Sequence, residues 1–129
     1  MLPTSVRVVI ADNDRESAAR LAEQLRAAGH HVHTAHDDTR VMTLAELLRP
    51  DVVLLDLGLQ SLGGEEIARQ MRNAHWGAAI QLVAICEPGT DHQARSRRET
   101  FDEYLDRPVE IDVLLKVIAP HRMPDPAGP

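Results

Sequence analysis

Short apolar runs rich in β-branched residues alternate along this chain with segments whose apolar residues recur every three or four positions. No other feature restricts the fold as strongly. A strand followed by a helix and then another strand favours a parallel sheet, because the helix carries the chain back to the end where the next strand starts. Val6 to Ala11 is the first such run, and Asp12, Asn13 and Asp14 break it. From Arg15 to Ala28, the residues Ala18, Leu21, Leu25 and Ala28 share one helical stripe, and Gly29 suits the helix end. His31 to Ala35 reads as a second strand. Val41, Leu44, Ala45 and Leu48 mark a second helix, stopped at Pro50. Val52 to Leu57 is the most continuous apolar run, as expected of a central strand covered on both faces.

Gly63 and Gly64 then precede a helix carrying Ile67, Ala68 and Met71. Ile80 to Cys86 and Glu103 to Asp106 read as the last two strands. Ile111, Leu114, Leu115 and Ile118 give a closing helix. Between those two strands, Asp91 to Glu99 is a weak helical segment with Ala94 as its only apolar residue. Five strands alternating with helices predict an α/β fold: a flavodoxin-like five-stranded parallel sheet, order 2-1-3-4-5, with helices on both faces. The chain of 129 residues, 43% apolar, suits one such domain over residues 1–119. Residues 120–129 read as a disordered tail or linker stub, with three prolines and a glycine after His121.

Composition removes several function classes. A net charge of −6 argues against direct nucleic-acid binding, which needs a basic face. Arg95, Arg97 and Arg98 read as a solvated helix face. No apolar run is long enough to span a bilayer, and Met1 to Ser5 lacks a secretory pattern, so a cytoplasmic location with no membrane contact is expected. Aromatics at 2% leave little for base stacking or a flavin sandwich. Cys86 is the only cysteine, which rules out an intrachain disulfide. His30, His31, His33 and His36 read as a fortuitous surface cluster, since only His31 and His33 share a strand face.

In open parallel sheets the working crevice lies beyond the C-terminal ends of the strands. Asp12, Asn13 and Asp14 end the first strand, Asp56 the third, Cys86 the fourth, and Arg107-Pro108 the fifth. Converging carboxylates repel one another and call for a cation. Magnesium suits one or two carboxylates with phosphate oxygens. Each residue taken singly also fits a solvated strand end or, for Asp14, a helix cap.

The segment Arg49 to Gln60, RPDVVLLDLGLQ, resembles the phosphoacceptor strand of response-regulator receiver domains. Gly64 stands where that family has a glycine eight residues past the phosphoacceptor, and Arg107-Pro108 stands at its lysine-proline pair. The likeness runs from Val6 to Ile118, and the spacing from Gly29 to Asp56 fits without a gap. The resemblance implies a signalling domain, not an enzyme. Asp56 would accept a phosphoryl group from a sensor histidine kinase or phosphotransfer protein. Asp12, Asn13 and Asp56 would hold a weakly bound Mg2+, and Arg107 would neutralise the phosphoryl oxygens. Cys86 takes the place of the family's Thr or Ser, and Tyr104 that of its switch aromatic. The output partner is not named by the sequence, and a homodimer is compatible with it.

The chain departs from the family at three of these positions. Asn13 brings an oxygen but no charge. A one-residue shift of register would instead make Asp12 the direct metal ligand, with Asp14 nearby; the ungapped register keeps Leu21 and Leu25 on the core stripe. Cys86 is a weak donor and reads equally as a small buried hydrophobe. Arg107 is a planar fork in place of a compact ammonium, or simply an exposed loop arginine. Together these favour an alternative, a phosphorylation-independent pseudo-receiver that binds protein. An enzyme or cofactor carrier of the same fold lacks any Gly-x-Gly-x-x-Gly, Walker-type loop or Gly-x-Ser-x-Gly elbow.

Overall fold

The computed structural model describes residues 5–57, 64–87 and 100–118. Their elements run β1 (Arg7–Ala11), α1 (Arg15–Ala27), β2 (His31–Ala35), α2 (Asp38–Leu48), β3 (Val52–Asp56), α3 (Gly64–Asn73), β4 (Gln81–Cys86), β5 (Glu103–Asp106) and α4 (Ile111–Ile118). The five strands form one sheet in the order β2-β1-β3-β4-β5, and every pairing is parallel. That is the predicted topology. The weak segment Asp91 to Glu99, its arginine cluster and the tail 120–129 lie outside the described residues.

Strand alternation sends side chains to two layers. Val9, Ala11, Val53, Leu55, Leu82 and Ala84 pack with Val41 and Ala45 of α2 and Ile67, Ala68 and Met71 of α3. Val8, Ile10, Val52, Leu54, Val83 and Ile85 pack on the other face with Ala18, Leu21 and Leu25 of α1 and Leu114 and Ile118 of α4. Both faces are thus covered, which is why β3 and β4 are buried along their whole length. β5 is an edge strand and only half-buried.

Strand bounds shift slightly from those expected, for local reasons. The Val6 N–H donates to the buried His30 Nδ1 at 3.1 Å, which leaves Val6 outside the β1 ladder. The second helix ends at Leu48 and is capped by Arg49, held in the left-handed region at φ 50°, just before Pro50. Gly64 belongs to α3 rather than preceding it. A Cβ there would lie 2.9 Å from both the Asp56 carbonyl oxygen and the Leu57 Cα. Only a residue without a side chain lets α3 start this close to the end of β3.

Arg72 supplies a clamp that periodicity did not reveal. From the last turn of α3 it donates to the carbonyls of Ile80 at 2.6 Å, Gly77 at 3.2 Å and Thr100 at 3.2 Å, and to the Asp102 carboxylate at 2.8 Å. Asp102 also accepts from the Leu82 N–H at 2.8 Å. One guanidinium therefore fixes the entries to both β4 and β5.

Candidate functional site

The C-terminal ends of β1, β3, β4 and β5 open into a cleft of about 390 Å3 lined by Asp12, Asn13, Asp14, Asp56, Glu87 and Arg107. Asp12 follows β1 directly and is 2% exposed. Its backbone is fixed by a bond from its N–H to the Ala35 carbonyl at 3.0 Å, and its own carbonyl contacts His36 Nδ1 at 2.9 Å. Its Oδ1 accepts from the Asp14 N–H at 2.9 Å, which turns the chain into α1. Asp14 is the N-cap of that helix, accepting from the N–H groups of Glu16 and Ser17. Asn13 is exposed on the rim. Asp56 is buried at the end of β3, opposite Ile85.

Arg107 crosses the cleft. Its N–H is anchored on the Cys86 carbonyl at 2.9 Å, and its bond to Pro108 is cis. The guanidinium then reaches four groups. Nη2 lies 2.7 Å from Asp12 Oδ2 and 3.4 Å from Asp56 Oδ2. Nη1 donates to Ser17 Oγ at 2.9 Å, and Nε lies 2.9 Å from Glu87 Oε2. Burial opposes its charge, but the Asp12 hydrogen bond and the charges of Asp12, Asp56 and Glu87 outweigh that, so its pKa lies above the ordinary arginine value. The exposed-loop reading of Arg107 is therefore corrected: carboxylates on three sides draw the side chain inward, to 20% exposure.

The structure brings Asp12, Asn13, Asp56 and Arg107 to one cleft. Cys86 is buried at the end of β4 beside them, in the apolar layer with Ala84. Tyr104 stands farther back on β5, half-buried and edge-on to Phe101, with ring centroids 5.5 Å apart. Sequence reasoning missed Glu87 and Ser17. Glu87 sits one residue past a predicted strand end and could have been included by that rule. Ser17 gave no signal, being 90 residues from Arg107 in the chain. The four histidines do not converge: His30 and His36 are bonded separately, and His31 and His33 are exposed on β2. Among the described residues, no group of three or more His, Cys, Asp or Glu is arranged to hold a metal. A wider depression of about 700 Å3 at the start of α2, lined by Arg15, His36, Asp37 and Arg40 among others, gathers no buried carboxylates.

Two buried carboxylates and a cation at the C-terminal edge of a 2-1-3-4-5 sheet are joined by a match to the response regulator receiver domain over residues 8–119. The chain belongs to the response regulator receiver domain family. It is therefore a signalling domain of the two-component type. It is similar to the response regulator MprA of Mycobacterium tuberculosis, 30% identical over 111 residues that cover 86% of this chain and 48% of MprA. The chain thus spans about half the length of that relative. It is also similar to protein PilH of Pseudomonas aeruginosa, 28% identical over 87% of this chain and 93% of PilH. The chemotaxis response regulator CheY4 of Vibrio cholerae shares the fold, with a TM-score of 0.82 at 20% identity, covering 92% of this chain and 99% of CheY4.

Proposed function

We propose that Asp56 accepts a phosphoryl group from the phosphohistidine of a sensor histidine kinase or a phosphotransfer protein. A carboxylate oxygen of Asp56 attacks phosphorus, the N–P bond breaks, and the histidine leaves with the electron pair. The observation that carries this reading is the position of Asp56 at the end of β3, buried yet lining the open cleft and facing the Arg107 guanidinium. There Arg107 neutralises charge that gathers on the phosphoryl oxygens, a positioning and electrostatic role.

Magnesium fits the donors in this cleft. The carboxylates of Asp12 and Asp56 are hard oxygen ligands, and Mg2+ takes one or two carboxylates while keeping several waters. Bound there with the Asn13 amide oxygen, it would shield the attacking carboxylate from the incoming phosphate. Asn13 adds no charge, so the affinity should be weak. Tyr104 and Cys86 are assigned to the relay from the site to a protein-interaction face, and residues 1–119 to the receiver unit, acting in the cytoplasm.

The test is intact-mass spectrometry after incubation with acetyl phosphate and Mg2+, on the wild type and Asp56→Asn. A phosphate adduct on the wild type alone is expected. The second reading, a pseudo-receiver that binds partners without phosphate, draws support from the same Arg107, which already offsets the charge of Asp12 and Asp56. No adduct on either protein, with no binding of beryllofluoride, would decide for it.

A further inference from the structure

We propose that Ser17 is a positioning residue that holds Arg107 on Asp12 and so sets how readily a divalent cation enters the cleft. The inference rests on the reading above, that Asp12 and Asp56 receive such a cation. The guanidinium is placed unevenly between the two carboxylates, 2.7 Å from Asp12 and 3.4 Å from Asp56. Arg107 follows the end of β5, and Glu87 holds its Nε at 2.9 Å on the solvent side of the cleft. The bias has a visible source on α1. Ser17 Oγ accepts from Nη1 at 2.9 Å, and Ser17 lies on the first turn of the helix that begins three residues after Asp12. A fork with one arm on Ser17 presents its other arm to Asp12.

The consequence is competition. Asp12 Oδ1 is already committed to the Asp14 N–H, and Arg107 takes Oδ2. No oxygen of Asp12 is left without a donor while Arg107 stays docked. Arg107 and a cation carry the same sign of charge and compete for Oδ2, so the apparent affinity for the cation falls with the fraction of molecules in which Arg107 is docked. When Arg107 swings off Asp12, Asp56 and Glu87 remain within its reach. Loss of the Ser17 hydroxyl weakens the docked state without changing any charge or removing any metal donor. Replacing Arg107 itself would also remove a positive charge, so it cannot separate positioning from plain electrostatics.

The experiment is Mn2+ binding followed by electron paramagnetic resonance of the free ion, on the wild type, Ser17→Ala and Ser17→Thr, with thermal unfolding in EDTA measured alongside. A hydrogen bond to a charged group shifts such an equilibrium by about tenfold when fully buried, and about threefold in this open cleft. Ser17→Ala should bind Mn2+ about threefold more tightly, and Ser17→Thr, which restores the hydroxyl, should return to the wild-type value. A merely structural serine would lower the melting temperature and leave the three affinities equal. Equal affinity in all three proteins overturns the role of Ser17 while the cation site stands. No Mn2+ binding in any of them, nor in Arg107→Ala, overturns the cation site and this inference with it.

Discussion

Arg107→Ala should destabilise the domain without metal, and divalent cation should restore much of the loss. In the intact cleft one guanidinium faces the carboxylates of Asp12, Asp56 and Glu87. Its removal takes from Asp12, 2% exposed, the cation that faces it among the described residues. Breaking a fully buried pair costs about 3–5 kcal/mol, and an exposed pair contributes about 0–1 kcal/mol. Arg107 is 20% exposed and Glu87 is largely in solvent, so the intermediate value of about 2 kcal/mol applies. For a domain of this size that corresponds to a fall in Tm of roughly 6–10 °C. Urea unfolding in EDTA measures it directly. Mg2+ at about thirty times its dissociation constant should return about 2 kcal/mol, because it binds only the folded cleft. The same substitution in an Asp12→Asn background should cost clearly less, since the more deeply buried of the two carboxylates is then neutral. A single variant within about 0.5 kcal/mol of wild type in EDTA would refute the reasoning, as would equal losses in both backgrounds.

Asn13→Asp should tighten Mg2+ binding, read by calorimetry, because it adds a charged oxygen at the rim of the same cleft; unchanged affinity would remove Asn13 from the metal's surroundings. Arg72→Ala should cost roughly 2 kcal/mol in urea unfolding, since carbonyls and a carboxylate at the entries of β4 and β5 lose one shared donor. Gly64→Ala should destabilise by about 1–3 kcal/mol, because its methyl group meets the backbone of Asp56 and Leu57 as well as the Leu57 side chain; a neutral result in the same assay would mean that α3 can retreat from Asp56. Cys86, 1% exposed, should react with a thiol reagent only as fast as the domain opens, so labelling at the rate of a free thiol would contradict its burial.

What the sequence revealed of this fold follows from how local each signal is. β3 and β4 were legible as continuous apolar runs because both their faces are covered, and Asp14 was legible as a cap because its partners are two and three residues away. The bare topology rule also brought Asp12, Asp56 and Arg107 to one edge. It could not say where a long side chain points. Arg107 meets Ser17 across 90 residues and Arg72 meets Thr100 across 28, and neither pairing leaves a periodic trace. Arg72 in particular has the spacing of an ordinary basic residue in a last helical turn, a position that favours a cation without any tertiary partner. The glycine at 64 was legible beside a helix start and through family likeness, but its cause, a 2.9 Å approach to the Asp56 carbonyl, is purely three-dimensional.

The altered residues of the cleft act in one direction. An aspartate at position 13 would add a further negative charge to a cleft already lined by Asp12, Asp14, Asp56 and Glu87, and the amide of Asn13 withholds it. A lysine at position 107 would offer one compact charge, whereas the arginine fork spans Asp12, Ser17 and Glu87 at once and still lies 3.4 Å from Asp56. The first change lowers the repulsion that a cation must offset, and the second supplies the cation from within the chain. The cleft is therefore built to stand without metal more comfortably than one with two acidic residues and a lysine. The free energy a metal can contribute is smaller to the same extent, because each carboxylate it would bind already has a partner.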